Sequence, residues 1–150
     1  MIKTMKDVTE VVWTDTHRGH DYVFTRNLVR KRSHNTKQTI WMKTDDVVIG
    51  YICYWYDPSL KDDNTYRLVL ESIEVRPGFQ GQGLAKFMID SVQKNLNETM
   101  HTTGSFTPKG YATLAGYLPL VDDSERNSIE FEDMAFVKDW DNTQTFRWVR

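Results

Sequence analysis

Apolar residues along the chain repeat with two different spacings. Val8, Val11 and Val12 lie three and four apart within Asp7–His17, which predicts a helix. Asp21 is placed to cap a second helix, with Tyr22, Val23, Phe24, Leu28 and Val29 facing inward. Arg30-Lys31-Arg32 would then load its last turn, where cations suit the helix dipole. After the polar stretch Ser33–Lys37 the pattern changes. Thr39–Lys43 and Val47–Tyr56 are rich in β-branched and aromatic residues and predict two strands, joined by a turn at Thr44-Asp45-Asp46. Gly50 inside the second strand predicts a bulge or a close backbone approach. Tyr66–Val75 predicts a further strand, Arg76–Gly83 a glycine-rich loop, and Leu84–Asn97 an amphipathic helix with Leu84, Phe87, Met88, Val92 and Leu96 inward. Met100–Ser105 reads as a short strand and Pro108 opens a helix to about Ala115. Ser128–Lys138 and Thr143–Val149 read as two closing strands around a tight loop at Asp139–Asn142. The expected fold is α/β, one domain over residues 1–150. It is a single mixed, mostly antiparallel sheet of six to seven strands flanked by about four helices.

Composition narrows the class without naming a partner. A chain of 150 residues suits one domain and can bury roughly 70% of its unfolded surface. Apolar content of 39% with 13% aromatics is far from the disordered class. The single Cys53 excludes an intrachain disulfide framework and, in an apolar strand, reads as buried and inert. Met1–Glu10 has no apolar core, so no secretory leader and a cytoplasmic location are expected. The longest apolar run, Val47 to Tyr56, is about half a membrane span, so no membrane partner is expected.

The formal charge of −2 hides an asymmetry. His17–Lys43 carries seven cations against one acid, a net of +6, and Val121–Asn142 carries eight acids against two cations, a net of −6. Two acidic or histidine-bearing stretches do not read as metal sites. His17-x-x-His20, near Asp15 and Asp21, lacks a second pair of ligands, and Asp62-Asp63-Asn64 lacks the spacing and glycine of a calcium loop. No metal is expected.

The informative segment is Ser72-Ile73-Glu74-Val75-Arg76-Pro77-Gly78-Phe79-Gln80-Gly81-Gln82-Gly83-Leu84-Ala85. A strand feeds a glycine-rich loop that feeds a helix, an arrangement that aims backbone N–H groups at phosphates. A Walker A loop is excluded, because Leu84-Ala85 stand where Lys and a hydroxyl residue are required after Gly83. A dinucleotide fingerprint starting at Gly81-x-Gly83 fails at Lys86, where a glycine is required.

Gln80-x-x-Gly83-x-Ala85 after Val75-x-Pro77 resembles the acyl-coenzyme A pyrophosphate loop of the GNAT superfamily of N-acetyltransferases. Asp46-Val47-Val48-Ile49-Gly50-Tyr51-Ile52 resembles the hairpin of that family. The resemblance implies acetyl-coenzyme A as acyl donor, held by the backbone N–H groups of Gly81, Gln82, Gly83, Leu84 and Ala85, with Gln80 in the motif. It implies that Ile73 and Val75 pair through their backbone with the pantetheine arm, where this strand splays from Met100–Ser105. For the base it points to Glu71, which period-two alternation places on the face of Ile73 and Val75, with Glu74 opposite and His101 as the alternative. For the acid that protonates the departing thiolate it points to a tyrosine four residues before a Gly-aromatic pair. Here that pair is Gly116-Tyr117 and position 112 is alanine, so Tyr111 stands one place early and Tyr117 is the second choice.

The implied acceptor is a primary amine: a protein lysine or N-terminus, a polyamine, an aminoglycoside or aminoacyl-tRNA. In the family the first two helices and the last loop flank the acceptor, here the basic Arg18–Lys37 region and Asp139–Asp141, which favours a cationic small molecule or protein. A pI near 6.1 does not favour nucleic acid. The alternative from another class is a non-catalytic module that grips a macromolecule through Arg30-Lys31-Arg32. Monomer and homodimer both remain open.

Overall fold

The computed structural model describes residues 9–27, 37–59, 66–102, 114, 116–121, 135–137 and 147–149. Six strands form one sheet in the order β1 (Thr9–His17), β2 (His20–Asn27), β3 (Lys37–Thr44), β4 (Val47–Tyr56), β5 (Leu68–Val75), β6 (His101–Thr102). Neighbours are antiparallel except β5 and β6, which run parallel with Val69 beside His101 and Leu70 beside Thr102. The parallel pair is where the chain crosses over through helix α1 (Leu84–Leu96). A further antiparallel pair, β7 (Ala135–Val137) and β8 (Arg147–Val149), falls within the two expected closing strands. The mixed sheet, the β3–β4 hairpin and the helix after the glycine loop agree with the sequence pattern.

The first two expected helices are strands. Asp7–His17 and the segment after Asp21 form an antiparallel hairpin in which His17 pairs with His20 around Arg18-Gly19. Arg18 has φ 50° and Gly19 has φ 80°. Two successive positive φ angles make the two-residue turn whose twist matches a β-hairpin, and no helix passes through them. Trp13, Asp15 and His17 are half-buried while Thr14 and Thr16 are exposed, the alternation of a strand with one wet face. Val11, expected inside a helix, is 62% exposed. Asp21 caps nothing; it accepts a hydrogen bond from Thr16 Oγ1 across the hairpin at 2.7 Å. The helix expected from Pro108 lies largely outside the described residues.

One face of the sheet holds Tyr22, Phe24, Ile40, Met42, Ile52, Tyr54, Leu68 and Leu70, and α1 packs on it with Leu84, Phe87, Met88, Ile89 and Val92. Each such side chain taken fully from water contributes about 1.5–3 kcal/mol. The helix ends at Asn97, which takes the left-handed conformation and donates its N–H to the Gln93 carbonyl. The edge strand β1 is tied to α1 by a polar relay. Trp13 Nε1 donates to Ser91 Oγ at 2.9 Å, and Ser91 Oγ donates to Asp15 Oδ2 at 2.9 Å. Ser91 is buried while Trp13 and Asp15 are half-buried, so both links are partly shielded from water.

Gly50 marks a close approach and adjoins a bulge, as its position in the strand predicts. Met42 pairs with Gly50 and Lys43 with Val48, so Ile49 is the extra residue. A Cβ on Gly50 would lie 3.0 Å from Met88 Cε and 3.1 Å from the Glu74 carbonyl oxygen. Gly50→Ala should therefore destabilise the protein by about 1–3 kcal/mol, seen as a lower urea midpoint at unchanged slope. An unchanged midpoint would show that Met88 and the β5 backbone yield freely.

Candidate functional site

The site is built where β5 ends. Val75 pairs with Gly50, and the next residue leaves the sheet with its N–H bonded to the Ile49 carbonyl at 2.8 Å. The bulged residue of β4 thus anchors the start of the loop. Phe79 N–H closes a turn on the Arg76 carbonyl at 3.0 Å. Gln80 folds its side chain back and donates from Nε2 to the Val75 carbonyl at 2.9 Å. Gly78, Gly81 and Gly83 all have positive φ, at 96°, 83° and 75°. Gly83 is the N-cap of α1 and brings no side chain to cap it; the first turn carries no acidic residue. The first intrahelical bond, Phe87 N–H to the Gly83 carbonyl, is formed at 3.0 Å.

The loop is therefore held mainly through its carbonyls and through the Gln80 amide. Among the described residues, no hydrogen bond of good distance and angle is made by the N–H groups of Gly81, Gln82, Gly83, Leu84 or Ala85. Gly81, Gln82 and Gly83 are exposed. Exposed N–H groups at an uncapped helix start form a site for an anion with several acceptor oxygens. Gln80, expected among the donor-binding residues, acts through its side chain as a brace on the strand end.

The hairpin tip reaches this loop, which sequence reasoning missed. His17 Nε2 lies 2.9 Å from the Gln82 carbonyl oxygen, and its ring stacks on Phe87 at 4.8 Å between centroids. A carbonyl only accepts, so Nε2 carries the proton. Arg18 Nη2 stands 3.8 Å from the place a Cβ on Gly83 would occupy. The one local signal was Arg18-Gly19, the turn that makes Thr9–Asn27 a hairpin.

Glu71 is the extra residue of a second bulge: Cys53 pairs with Ser72 and Tyr54 with Leu70. Strict alternation is broken there, so the alternation that put Glu71 on the face of Ile73 and Val75 does not run through it. Glu71 Oε2 and His101 Nδ1 are both buried. His101 meets Tyr66 edge-on at 4.6 Å. Glu74 accepts a hydrogen bond from Tyr51 at 3.1 Å. Burial, with Cys53 adding to it, pushes the Tyr51 phenol up to about 12. Tyr111, Arg30-Lys31-Arg32 and Asp139–Asp141 lie outside the described residues. Among the described residues no three His, Cys, Asp or Glu side chains gather as metal ligands, and no helix is long and apolar enough to cross a membrane.

A sequence model described as the Acetyltransferase (GNAT) family matches residues 5–103, more than half of the chain. The chain belongs to the GNAT acetyltransferase family. GNAT enzymes use acetyl-coenzyme A as acyl donor, and its diphosphate is the kind of anion that the spare N–H groups of the loop fit. The GNAT match spans the glycine loop, Glu71 and His101 and ends before Tyr111. The chain is similar to the solved ribosomal-protein-alanine N-acetyltransferase from Brucella melitensis biovar Abortus 2308. Identity is 16% over 61% of this chain and 66% of that one, with a TM-score of 0.47, so this chain spans just under two thirds of that structure. It is also similar to AAC(6')-Iy in complex with the bisubstrate analog CoA-S-monomethyl-acetylneamine, at 20% identity over 65% of this chain and 69% of that one, with a TM-score of 0.40. No curated protein matched the sequence.

Tyr117, the second choice for the acid, lies on the outside of α1. Its hydroxyl donates to Asp90 Oδ1 at 2.5 Å, and Lys86 Nζ sits 5.1 Å from its ring centre. Burial first, then the hydrogen bond and charge of Asp90, push its phenol up to about 12. A phenol committed to a carboxylate is a poor donor to a thiolate elsewhere. Removing that carboxylate favours the phenolate, so Asp90→Asn should bring Tyr117 down from about 12 towards the usual 10, read by NMR of labelled tyrosine ring carbons. An unmoved titration would show that Asp90 does not set it.

Proposed function

We propose that this protein transfers the acetyl group of acetyl-coenzyme A to a primary amine, as a GNAT N-acetyltransferase. The observation that carries this reading is the run of spare N–H groups from Gly81 to Ala85 at the uncapped start of α1, within a GNAT family match. Those N–H groups hold the diphosphate without a lysine in the loop. The backbone of Ile73 and Val75 aligns the pantetheine arm along β5, beyond the Val69 and Leu70 positions that pair with β6.

The reaction then needs three proton movements, two off the nitrogen and one onto the departing thiolate. An amine such as a lysine side chain, with a pKa near 10.4, is mostly protonated at neutral pH. Glu71 takes that proton, directly or through water, and His101 is the alternative. The amine nitrogen attacks the thioester carbonyl, the C–S bond breaks as the amide forms, Tyr111 gives its proton to the thiolate, and the second proton that the nitrogen sheds on becoming an amide restores the phenol, directly or through water. The acids of Val121–Asn142 favour a cationic acceptor, a polyamine or a basic protein side chain among them.

Calorimetry with acetyl-coenzyme A tests the donor half. Gly83→Val adds a branched side chain at a φ of 75° and covers neighbouring N–H groups, so affinity should fall at least about ten-fold. Failure of the wild type to bind at millimolar donor would sink the reading. Thiol release over a panel of polyamines, aminoglycosides, peptides and charged tRNA identifies the acceptor. With it, Glu71→Gln should lower kcat by about 10²–10⁴ while leaving the donor KM near wild type. The same loss in His101→Asn with Glu71→Gln unaffected would move the base to His101.

A further inference from the structure

We propose that the tip of the β1–β2 hairpin completes the coenzyme A diphosphate site, with His17 as a positioning residue and Arg18 as a phosphate contact. The proposal rests on the donor reading above. Residues 17 and 18 are 65 positions from the loop they touch, and nothing in the glycine motif asks for them.

The sheet gives the tip its place. Trp13, Asp15 and His17 share the inward face of β1, and they descend along α1 from Ser91 to Phe87 and so to the loop before its first turn. His17 is thereby gripped twice, by its stack on Phe87 and by its hydrogen bond to the Gln82 carbonyl. That bond fixes the orientation of the Gln82–Gly83 peptide. Because a peptide's C=O and N–H point in opposite directions, fixing the carbonyl also fixes the Gly83 N–H. His17 thus acts through the Gln82 carbonyl.

Arg18 brings a cation to Gly83, at the helix end of the loop. No ion pair of Arg18 is formed among the described residues, and its guanidinium lies beside Gly83, where the positive end of α1 also points. Two positive features brought together with no acid in the first helical turn repel each other until an anion separates them. A diphosphate presents planar sets of oxygens that a guanidinium fork matches.

The test compares coenzyme A with a donor that has no diphosphate. His17→Phe keeps a ring against Phe87 and loses the donor; His17→Gln restores an N–H near the same point. Arg18→Glu reverses the charge on an exposed turn, where folding is least at risk. His17→Phe and Arg18→Glu should each weaken coenzyme A binding about ten-fold by calorimetry. With acetyl-coenzyme A the loss should appear in KM rather than kcat, and S-acetylpantetheine should be used as well as by the wild type. His17→Gln should regain most of the lost affinity, and the Arg18→Glu defect should shrink at high salt. Equal losses on S-acetylpantetheine, or coenzyme A binding within two-fold of wild type in both variants, would overturn the proposal. Wild type that binds no coenzyme A overturns the donor reading and this proposal together; wild type that binds it, with both variants unaffected, overturns this one alone.

Discussion

A loop that keeps its N–H groups open cannot spend them on itself. Everything at the end of β5 follows from that constraint. The segment from Arg76 to Ala85 is held by other means: the Ile49 carbonyl at its start, the Gln80 amide on Val75, the imidazole on Gln82, and the Gly83 carbonyl at the helix. Each clamp leaves the donors from Gly81 to Ala85 available. The irregularities of the sheet serve the same end. The Ile49 bulge turns a carbonyl towards the loop, and the missing side chain at Gly50 lets Met88 bring α1 close to the β4–β5 ladder.

Much of this was legible in local sequence. Val47–Tyr56 has no helical reading, since β-branched and aromatic residues fill it, and the Asp45-Asp46 turn closes it on β3 with two positive φ angles. The strand–glycine loop–helix signal was strong because each part constrains the next within fourteen residues. Gln80 shows the limit of a motif: the sequence marks the residue, and only the fold shows its side chain bracing Val75.

What misled was a short apolar set. Val8, Val11 and Val12 fit a helical stripe and also fit a β-rich run, and three residues do not separate the two periods. Arg18-Gly19 decides between them, because a two-residue turn converts both flanks into strands. The misreading carried to function. An expected basic pair of helices beside the acceptor becomes a hairpin whose Arg26 pairs with Glu10 and whose Arg18 stands at the glycine loop. The bulge at Glu71 shows in the residue pattern as a change of phase, Leu68 and Leu70 giving way to Ile73 and Val75, which a strict alternation overlooks. The His17 contact was likewise invisible, being formed across 65 residues.

That separation also orders events in time. The β3–β4 and β1–β2 hairpins close over a few residues, whereas the relay from Trp13 and Asp15 to Ser91 spans 78 and 76. Local pairs form early and distant ones late, because loop-closure entropy is spent before the contact returns it. The loop acquires its His17 clamp only when helix and hairpin meet, because the same imidazole stacks on Phe87 of the helix. The groups proposed to hold the donor diphosphate are thus brought together only in the assembled sheet.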